Sequence, residues 1–294
     1  GYNGEDKLQG MSEMLQKMGI KVNAYLPAAD LQTIQKAPRA ALNIVRRKKW
    51  ALAMEQRFGT PFLHVADMQE WHGIEGISDL YRQIGKMLGC EDAVERVLQA
   101  EYERVAARYQ ELRADFAKYK FCLLAHGIAY LPDALRVYQQ DYGLPISKIC
   151  IIMNPSYQAE TGLDDAMMQK FMDRIYLAKA EYGCEAEVLL EPAEVALREA
   201  AQSCDFVICN GHPRYASLNV PVLYNLFDRS VWSYQGFVDI MEEVWQMLQQ
   251  PQRTGSSLLL SKLDYDPVFY PMREADKDSK AARELYSRVW RQRK

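Results

Sequence analysis

Charged and imidazole side chains stand directly after apolar runs of this chain, where strands are expected to end. Arg46 and Arg47 follow the run ALNIV and begin a stretch of four cations that ends at Lys49. Guanidinium groups at a strand-to-helix junction can bind an anion, helped by the free amide groups at the start of the helix. A solvated basic edge is the other interpretation of these residues.

Two histidines and one asparagine occupy similar places farther along the chain. His126, followed by Gly127, ends the run FCLLAH, His212 follows FVICNG, and Asn225 follows VPVLY. An imidazole can donate or accept a proton near neutral pH, so both histidines are candidate acid–base groups. A hydrogen-bonded structural histidine is the commoner case, and each residue alone is weak evidence for a site.

Several well-known motifs are missing from the sequence. It contains neither the glycine fingerprint of dinucleotide-binding folds nor a P-loop, and it contains no HExxH zinc motif. Its six cysteines form no CxxC pair, so we expect reduced, structural thiols and no metal bound by this segment. Their positions suggest no group of thiolates that could hold an iron–sulfur cluster.

Short apolar runs alternate with segments of helical periodicity, which predicts an α/β fold with parallel sheets. The predicted strands are Ile20–Leu26, Ala41–Val45, Pro61–Ala66, Lys120–Ala125, Lys148–Met153, Ala186–Leu190, Asp205–Cys209 and Val220–Leu226. The predicted helices include Lys7–Met18, Ile74–Leu88, Leu131–Tyr142, Asp164–Tyr182 and Glu194–Gln202. Strand and helix alternate as in a Rossmann-like domain, and there are enough of them for two such domains.

A long segment without proline or glycine, residues 91–118, joins the two predicted Rossmann-like domains. Its apolar stripe, from Val94 to Phe116, predicts a surface helix that packs on a sheet, and a partner-binding coiled coil is the alternative. We expect a first domain over residues 1–90, truncated at its start, and the long helix with a second domain over residues 91–250. Residues 251–294 are expected to form a C-terminal tail.

Composition and charge exclude several classes of protein. The 294 residues carry 36 basic and 39 acidic side chains, which argues against a nucleic-acid binder. No apolar stretch approaches the roughly 20 residues that span a bilayer, and the first residues lack a secretory signal pattern. We expect a cytoplasmic protein that neither enters membranes nor binds nucleic acid.

The order of these segments resembles the second and third domains of an α-type subunit of nitrogenase component 1 proteins, the family of the molybdenum–iron protein. The runs MGIKV, APRAALNIV and QRFGTPFL are similar to the family's MGLRV, PKAKLNI and EKFGIPW passages. GIEGISDLYRQIGKMLG resembles its glycine-containing helix, and NVPVLYNLFDRSVWSYQGF resembles the passage around its Trp-Asp pair. The likeness covers residues 1–245 in continuous order.

The resemblance implies a substrate or cofactor cavity without the usual cofactor ligands. The family's cysteine and histidine ligands of the molybdenum–iron cofactor correspond to Arg47 and Asn225, which are poor metal ligands. The substrate or cofactor cavity is then expected to be lined by Arg46, Arg47, Gly127 and Asn225, with His126 and His212 as the catalytic proton donors.

The resemblance also implies partners, and a cofactor outside this segment. Family members receive electrons one at a time from an ATP-dependent iron–sulfur reductase, through a cluster held by an N-terminal domain to which nothing here corresponds. We expect that iron–sulfur cluster in the full-length complex, together with a sister β-type subunit or a homodimer partner. The segment alone is expected to be an inactive fragment of an oxidoreductase subunit.

Two other functions stay open at this stage. A non-catalytic cofactor-assembly scaffold or carrier of the same family would also suit the loss of both ligands, because a carrier releases its cargo. An unrelated two-domain α/β ligand-binding protein or glycosyl transferase is the other alternative. A glycosyl transferase that uses a nucleotide sugar should bind the diphosphate at a glycine-rich turn. Pro213 removes a donor amide next to the best candidate turn, Asn210-Gly211-His212.

Overall fold

The computed structural model describes residues 4–25, 30–65, 70–126, 130–153, 164–209, 218, 220–224 and 231–249. The chain divides into two compact units. The first comprises Gly1–Asp115, Gln140–Gly143 and Leu226–Trp245, and the second Phe116–Gln139, Leu144–Asn225 and Gln246–Lys294. All described strands pair in parallel, which confirms the α/β class. The predicted domain limits at residues 90 and 250 stay predictions.

The first unit contains a two-stranded sheet and the helices around it. Strand β1 (Asn43–Val45) pairs in parallel with β2 (Phe62–His64). The helical elements are α1 (Gly4–Lys17), α2 (Leu31–Lys36), a 3-10 turn (Ala37–Arg39), α3 (Lys48–Phe58), α4 (Gly73–Leu88) and α5 (Glu91–Phe116). The short strands agree with the apolar runs predicted there, and α1, α4 and α5 agree with the predicted helices to within a few residues.

The strand predicted over Ile20–Leu26 is wrong for the residues that the structure describes there. Residues 20–25 have no strand conformation and pair with no described strand. An extended segment becomes a strand only when its amide and carbonyl groups bond to a neighbouring strand. The segment is instead tied by its side chain Asn23, whose Nδ2 donates to Lys36 O at 3.0 Å.

The second unit is built on a five-stranded parallel sheet in the order β5-β4-β3-β6-β7. Its strands are β3 (Phe121–His126), β4 (Ile146–Ile152), β5 (Glu187–Leu190), β6 (Phe206–Cys209) and β7 (Val222–Tyr224). Between them lie α6 (Leu131–Leu135), a π-helical turn (Arg136–Asp141), α7 (Asp165–Glu181) and α8 (Glu194–Gln202). Helix α9 (Tyr234–Gln249) follows in the chain and belongs to the first unit up to Trp245. The predicted strands and helices of this part of the chain are confirmed for the residues that the structure describes, and residues 225 and 226 of the last predicted strand lie outside them.

The apolar stripe of α5 is buried, as predicted, and it contacts helices α4 and α9. Val94 and Leu112 have no exposed surface. A Cβ atom on Gly85 of α4 would come within 2.8 Å of Val94 Cγ2, so α4 and α5 are in close contact. Farther along the same stripe, the Tyr109 ring meets the Phe237 ring of α9 at a centroid distance of 6.2 Å.

Two glycines shape the first turn of α4. Gly73 has a φ of 83°, a conformation that residues with a side chain rarely adopt. A Cβ on Gly76 would lie 2.5 Å from the carbonyl oxygen of Glu70 and 2.8 Å from the carbonyl carbon of Trp71. The helix therefore begins in direct contact with the backbone that leads into it. No helix among the residues described is long and apolar enough to cross a bilayer.

Candidate functional site

The strand order of the second unit contains a point at which the chain's connections change direction. From β3 the chain proceeds to β4 and β5 on one side of the sheet, then returns to the other side of β3 for β6 and β7. In open parallel sheets, ligands bind outside the carboxyl ends of the strands at such a switch point. The favoured ligand position of this sheet is therefore between the ends of β3 and β6.

His126 is the last residue of β3 and lies at the carboxyl end of the sheet, beside the switch point. It is the register partner of Ile152 on β4. On the other side, Leu124 pairs with Cys209, the last residue of β6. An imidazole on a residue at this edge could exchange a proton with a ligand outside the strand ends.

Gly127, His212 and Asn225, the other predicted site residues of this unit, lie outside the described residues. In the sequence they come shortly after the last residues of β3, β6 and β7. Their expected places in the site stay predictions.

The basic stretch predicted as an anion site connects β1 to α3 in the first unit. Arg46 and Arg47 are both exposed. Arg47 is the residue before α3, with an extended backbone (φ −129°, ψ 117°) and no side-chain capping bond. The first turn of α3 contains Lys48 and Lys49 and no acidic residue. Cations at the positive end of a helix dipole oppose it by about 0.3–1 kcal/mol each, so a bound anion would relieve this repulsion.

The structure brings together a third set of polar groups, around His72. This buried residue precedes α4, and its Nε2 lies 3.0 Å from the hydroxyl oxygen of Tyr142. Its ring stacks on that of Tyr142 and meets the Phe237 ring edge-on, at centroid distances of 5.8 and 5.7 Å. These contacts identify His72 as a structural histidine, and its sequence context did not distinguish it from the others.

A group of thiols is the feature that sequence reasoning missed. Cys122, Cys150, Cys204 and Cys209 belong to one hydrophobic core cluster in the second unit, and all six cysteines are free. Their common position follows from strand register, which brings distant parts of the sequence onto one face of the sheet. Within the described ranges, no group of three or more His, Cys, Asp or Glu side chains could hold a metal ion. No cluster ligand is therefore assigned to these thiols.

The comparison with protein families decides which group of α/β proteins this is. The family model described as nitrogenase component 1 type oxidoreductase matches residues 1–249. The chain belongs to this family. The resemblance seen in the sequence is thereby confirmed, and an unrelated ligand-binding protein or glycosyl transferase is set aside.

Two curated relatives in the family match shorter parts of the chain, and both are the same type of subunit of light-independent protochlorophyllide reductase. The one from Angiopteris evecta is 26% identical over 123 residues, which is 40% of this chain and 23% of the relative. The one from Zygnema circumcarinatum is 29% identical over 89 residues, 29% of this chain and 17% of the relative. The chain thus matches less than a quarter of the length of either relative.

Two solved structures of the family have the same fold over most of the chain. Both are nitrogenase Cp1 structures, at pH 6.5 and at pH 5, each with a TM-score of 0.56 and 15% identity. Each comparison covers 85% of this chain, and 57% and 55% of the nitrogenase chains. At this level of identity the likeness establishes the fold alone.

Proposed function

We propose that this chain is the substrate-side part of an oxidoreductase subunit of the nitrogenase component 1 type. The family match over residues 1–249 supports the class of reaction. The single observation that carries the site is the change of direction between β3 and β6, with His126 at the end of β3. The ligand of this sheet binds outside those two strand ends.

His126 and His212 supply the protons that accompany electrons onto the substrate. Stepwise addition of electrons leaves negative charge on an acceptor, and a nearby imidazolium can neutralise that charge by giving up its proton. In this proposal Gly127 is a further residue of the ligand cavity. Asn225 offers an amide that both donates and accepts hydrogen bonds.

Arg46 and Arg47 bind an anionic group of a substrate or cofactor at the β1–α3 junction. A guanidinium group can bind an anionic group through two parallel hydrogen bonds, and no acidic residue in the first turn of α3 competes for these two arginines. A guanidinium has no lone pair to give to a metal, so the role is electrostatic.

The electrons come from an ATP-dependent iron–sulfur reductase protein in the cytoplasm. The iron–sulfur cluster that receives them belongs to the complete complex, which contains a sister β-type subunit or a second copy of this subunit. The two curated relatives support an assembly of several different chains, because each is one subunit of a reductase.

The test compares arginine variants of the complete gene product. Each variant is purified in the absence of oxygen, together with the chain encoded beside it, and is assayed with the reductase protein. ATP-dependent reduction is measured on a set of acceptors that begins with protochlorophyllide, which the relatives' names suggest. Arg47→Ala is expected to raise KM at least about tenfold, because it removes one charged contact with the substrate. Arg47→Lys should recover part of the lost affinity. The matched control is Arg57→Ala, at the other end of α3, which should leave KM unchanged.

The results separate this proposal from its alternative. Unchanged KM in Arg47→Ala removes that arginine from the site. Tight binding of an acceptor without any reduction by the active reductase would instead identify a cofactor-assembly scaffold or carrier of the same family.

A further inference from the structure

Aromatic rings form an unbroken series inside the first unit. The ring centroids of Tyr142 and Phe237 lie 4.5 Å apart, and those of Phe237 and Tyr109 lie 6.2 Å apart. The series continues from Tyr109 to Tyr102, at a centroid distance of 6.4 Å. Tyr142 and Phe237 have no exposed surface, whereas Tyr102 is half-exposed on α5. The series therefore connects a buried phenol to the surface of the unit.

The tyrosine hydroxyl groups of this series have different hydrogen-bond partners. The hydroxyl oxygen of Tyr142 lies 3.0 Å from Nε2 of His72, which is also buried. The Tyr109 hydroxyl instead donates to the backbone carbonyl oxygen of Asp141 at 2.7 Å, and burial raises the pKa of this hydroxyl. An imidazole can take up a proton near neutral pH, whereas a backbone carbonyl is a very weak base.

This difference decides which ring can keep an oxidised state. A phenol that loses one electron becomes a far stronger acid, so the oxidised form is stable only where a nearby base takes the proton. His72 is such a base for Tyr142 when its own proton is on Nδ1, because Nε2 then accepts the hydrogen bond. The Tyr109 hydroxyl donates to a carbonyl, so this ring can pass an electron on but does not hold the radical.

We propose that Tyr142 and His72 form a redox-active pair, which is oxidised by one-electron oxidants of the oxygen-radical class that react at Tyr102. Tyr102 loses an electron to the oxidant and regains one from Tyr142 by way of Tyr109, with the Phe237 ring in contact with both. The O–H bond of Tyr142 breaks, and its proton moves to His72 Nε2. In the balance, the oxidant gains one electron, His72 gains one proton, and Tyr142 becomes a neutral tyrosyl radical.

The pair would hold an oxidising equivalent on a ring that water does not reach. An oxidised surface tyrosine can react with other molecules, whereas Tyr142 has no exposed surface. This inference does not depend on the proposed function, because every residue of the series belongs to the first unit and none belongs to the proposed ligand sites.

The test exposes the full chain to a one-electron oxidant, a ruthenium(III) polypyridyl complex formed by a light flash in the presence of an electron acceptor. Samples are frozen at increasing times after the flash, and electron paramagnetic resonance measures the tyrosyl radical. We expect a signal that outlasts the radicals of exposed tyrosines. Labelling of the histidines with a heavy nitrogen isotope should change its hyperfine pattern, because the phenoxyl oxygen is hydrogen-bonded to His72.

Three variants make the test specific. Tyr142→Phe should remove the long-lived signal. His72→Gln keeps a hydrogen-bond acceptor but offers no base, so it should lower the yield of this signal at least about tenfold. The matched control is Tyr176→Phe, which should leave the signal unchanged because that ring is 51% exposed on α7 and lies outside the series.

Circular dichroism checks that the variants fold, and the histidine labelling of the unaltered chain decides the matter where a variant does not. A long-lived signal that survives in Tyr142→Phe would overturn the proposal. So would a signal in the unaltered chain that shows no coupling to a histidine nitrogen.

Discussion

Leu124 of β3 and Cys209 of β6 are register partners across the point where the connections of the sheet change direction. Cys209 is the last residue of β6, while β3 continues to His126. The histidine therefore lies at the edge where ligands of such sheets bind. The proposed role of His126 follows from this backbone position. The position depends on the pairing of β3 with β6, two apolar runs that lie far apart in the sequence.

Replacement of His126 is expected to slow proton transfer in the complete complex. His126→Ala should lower kcat by about 100-fold, the usual contribution of a positioned acid–base group. Imidazole added to the buffer should restore part of the activity, because it can enter the space left by the side chain. Steady-state reduction assays measure both effects. Equal kcat for His126→Ala and the unaltered chain would exclude a role in proton transfer.

Gly76→Ala should destabilise the first unit, although alanine is normally the better residue inside a helix. The added Cβ would lie 2.5 Å from the Glu70 carbonyl oxygen, and neither backbone can move freely. We expect a loss of about 1–3 kcal/mol in the free energy of unfolding, typical of overpacking, measured by urea denaturation. The matched helical glycine is Gly10, where the nearest atom to the added Cβ would be the rotatable Ser233 hydroxyl oxygen, at 3.2 Å. A Gly76→Ala variant as stable as Gly10→Ala would contradict the described contact.

The ion pair between Arg108 and Glu242 predicts a pH dependence of stability. Arg108 binds both carboxylate oxygens, with Nη2 2.8 Å from Oε2, and holds the pKa of Glu242 below its usual value. Because the folded pKa is depressed, the stabilisation is present above the unfolded pKa, about 4.3, and is lost as pH falls through the folded pKa. Glu242→Gln should therefore cost about 1 kcal/mol at pH 7 and nothing at low pH.

Unfolding curves in urea at pH 7 and pH 3 measure this difference. The control is Glu95→Gln, which removes the ion pair between Glu95 and Arg82. These side chains are 53% and 50% exposed, so the loss of stability should be smaller. If the difference in unfolding free energy between Glu242→Gln and the unaltered chain is the same at both pH values, the ion pair is not its cause.

Tyr81→Phe should destabilise the first unit by about 1–2 kcal/mol, because it leaves a buried carbonyl without its donor. Tyr81 has no exposed surface, and its hydroxyl donates to Trp232 O at 2.5 Å. Tyr176→Phe is the control, since that ring is 51% exposed on α7. Thermal unfolding compares the two variants, and an equal effect of both would show that the Tyr81 bond contributes nothing.

Much of the secondary structure could be predicted from the sequence because the apolar runs of β4 and β6 are mostly buried. Such runs are apolar at consecutive positions, as in CIIM and FVIC, and leave little doubt about a parallel sheet. The helix Glu194–Gln202 is confirmed to the residue. Ile20–Leu26 has the same local character, but a strand also needs a partner, and no local pattern reveals whether one is available.

The site was less predictable than the fold. The position of His126 at the end of β3 could be inferred because it directly follows an apolar run, but its place beside the switch point depends on strand order. The common place of Cys122 and Cys204 in one core cluster depends on how α8 and the next turn fold over the sheet. The burial of His72 depends on Tyr142 and Phe237, which come from distant segments. Each of these contacts is long-range, so single-sequence periodicity contains no signal for it.

The central claim is that the chain works in an iron–sulfur oxidoreductase complex, and metal analysis tests it most directly. The complete gene product is purified without oxygen together with the chain encoded beside it, and iron, acid-labile sulfide and the electronic spectrum are measured. The account predicts iron and sulfide in cluster proportions, with broad thiolate-to-iron absorption in the visible range. A colourless complex without iron, from a preparation kept free of oxygen, would contradict it.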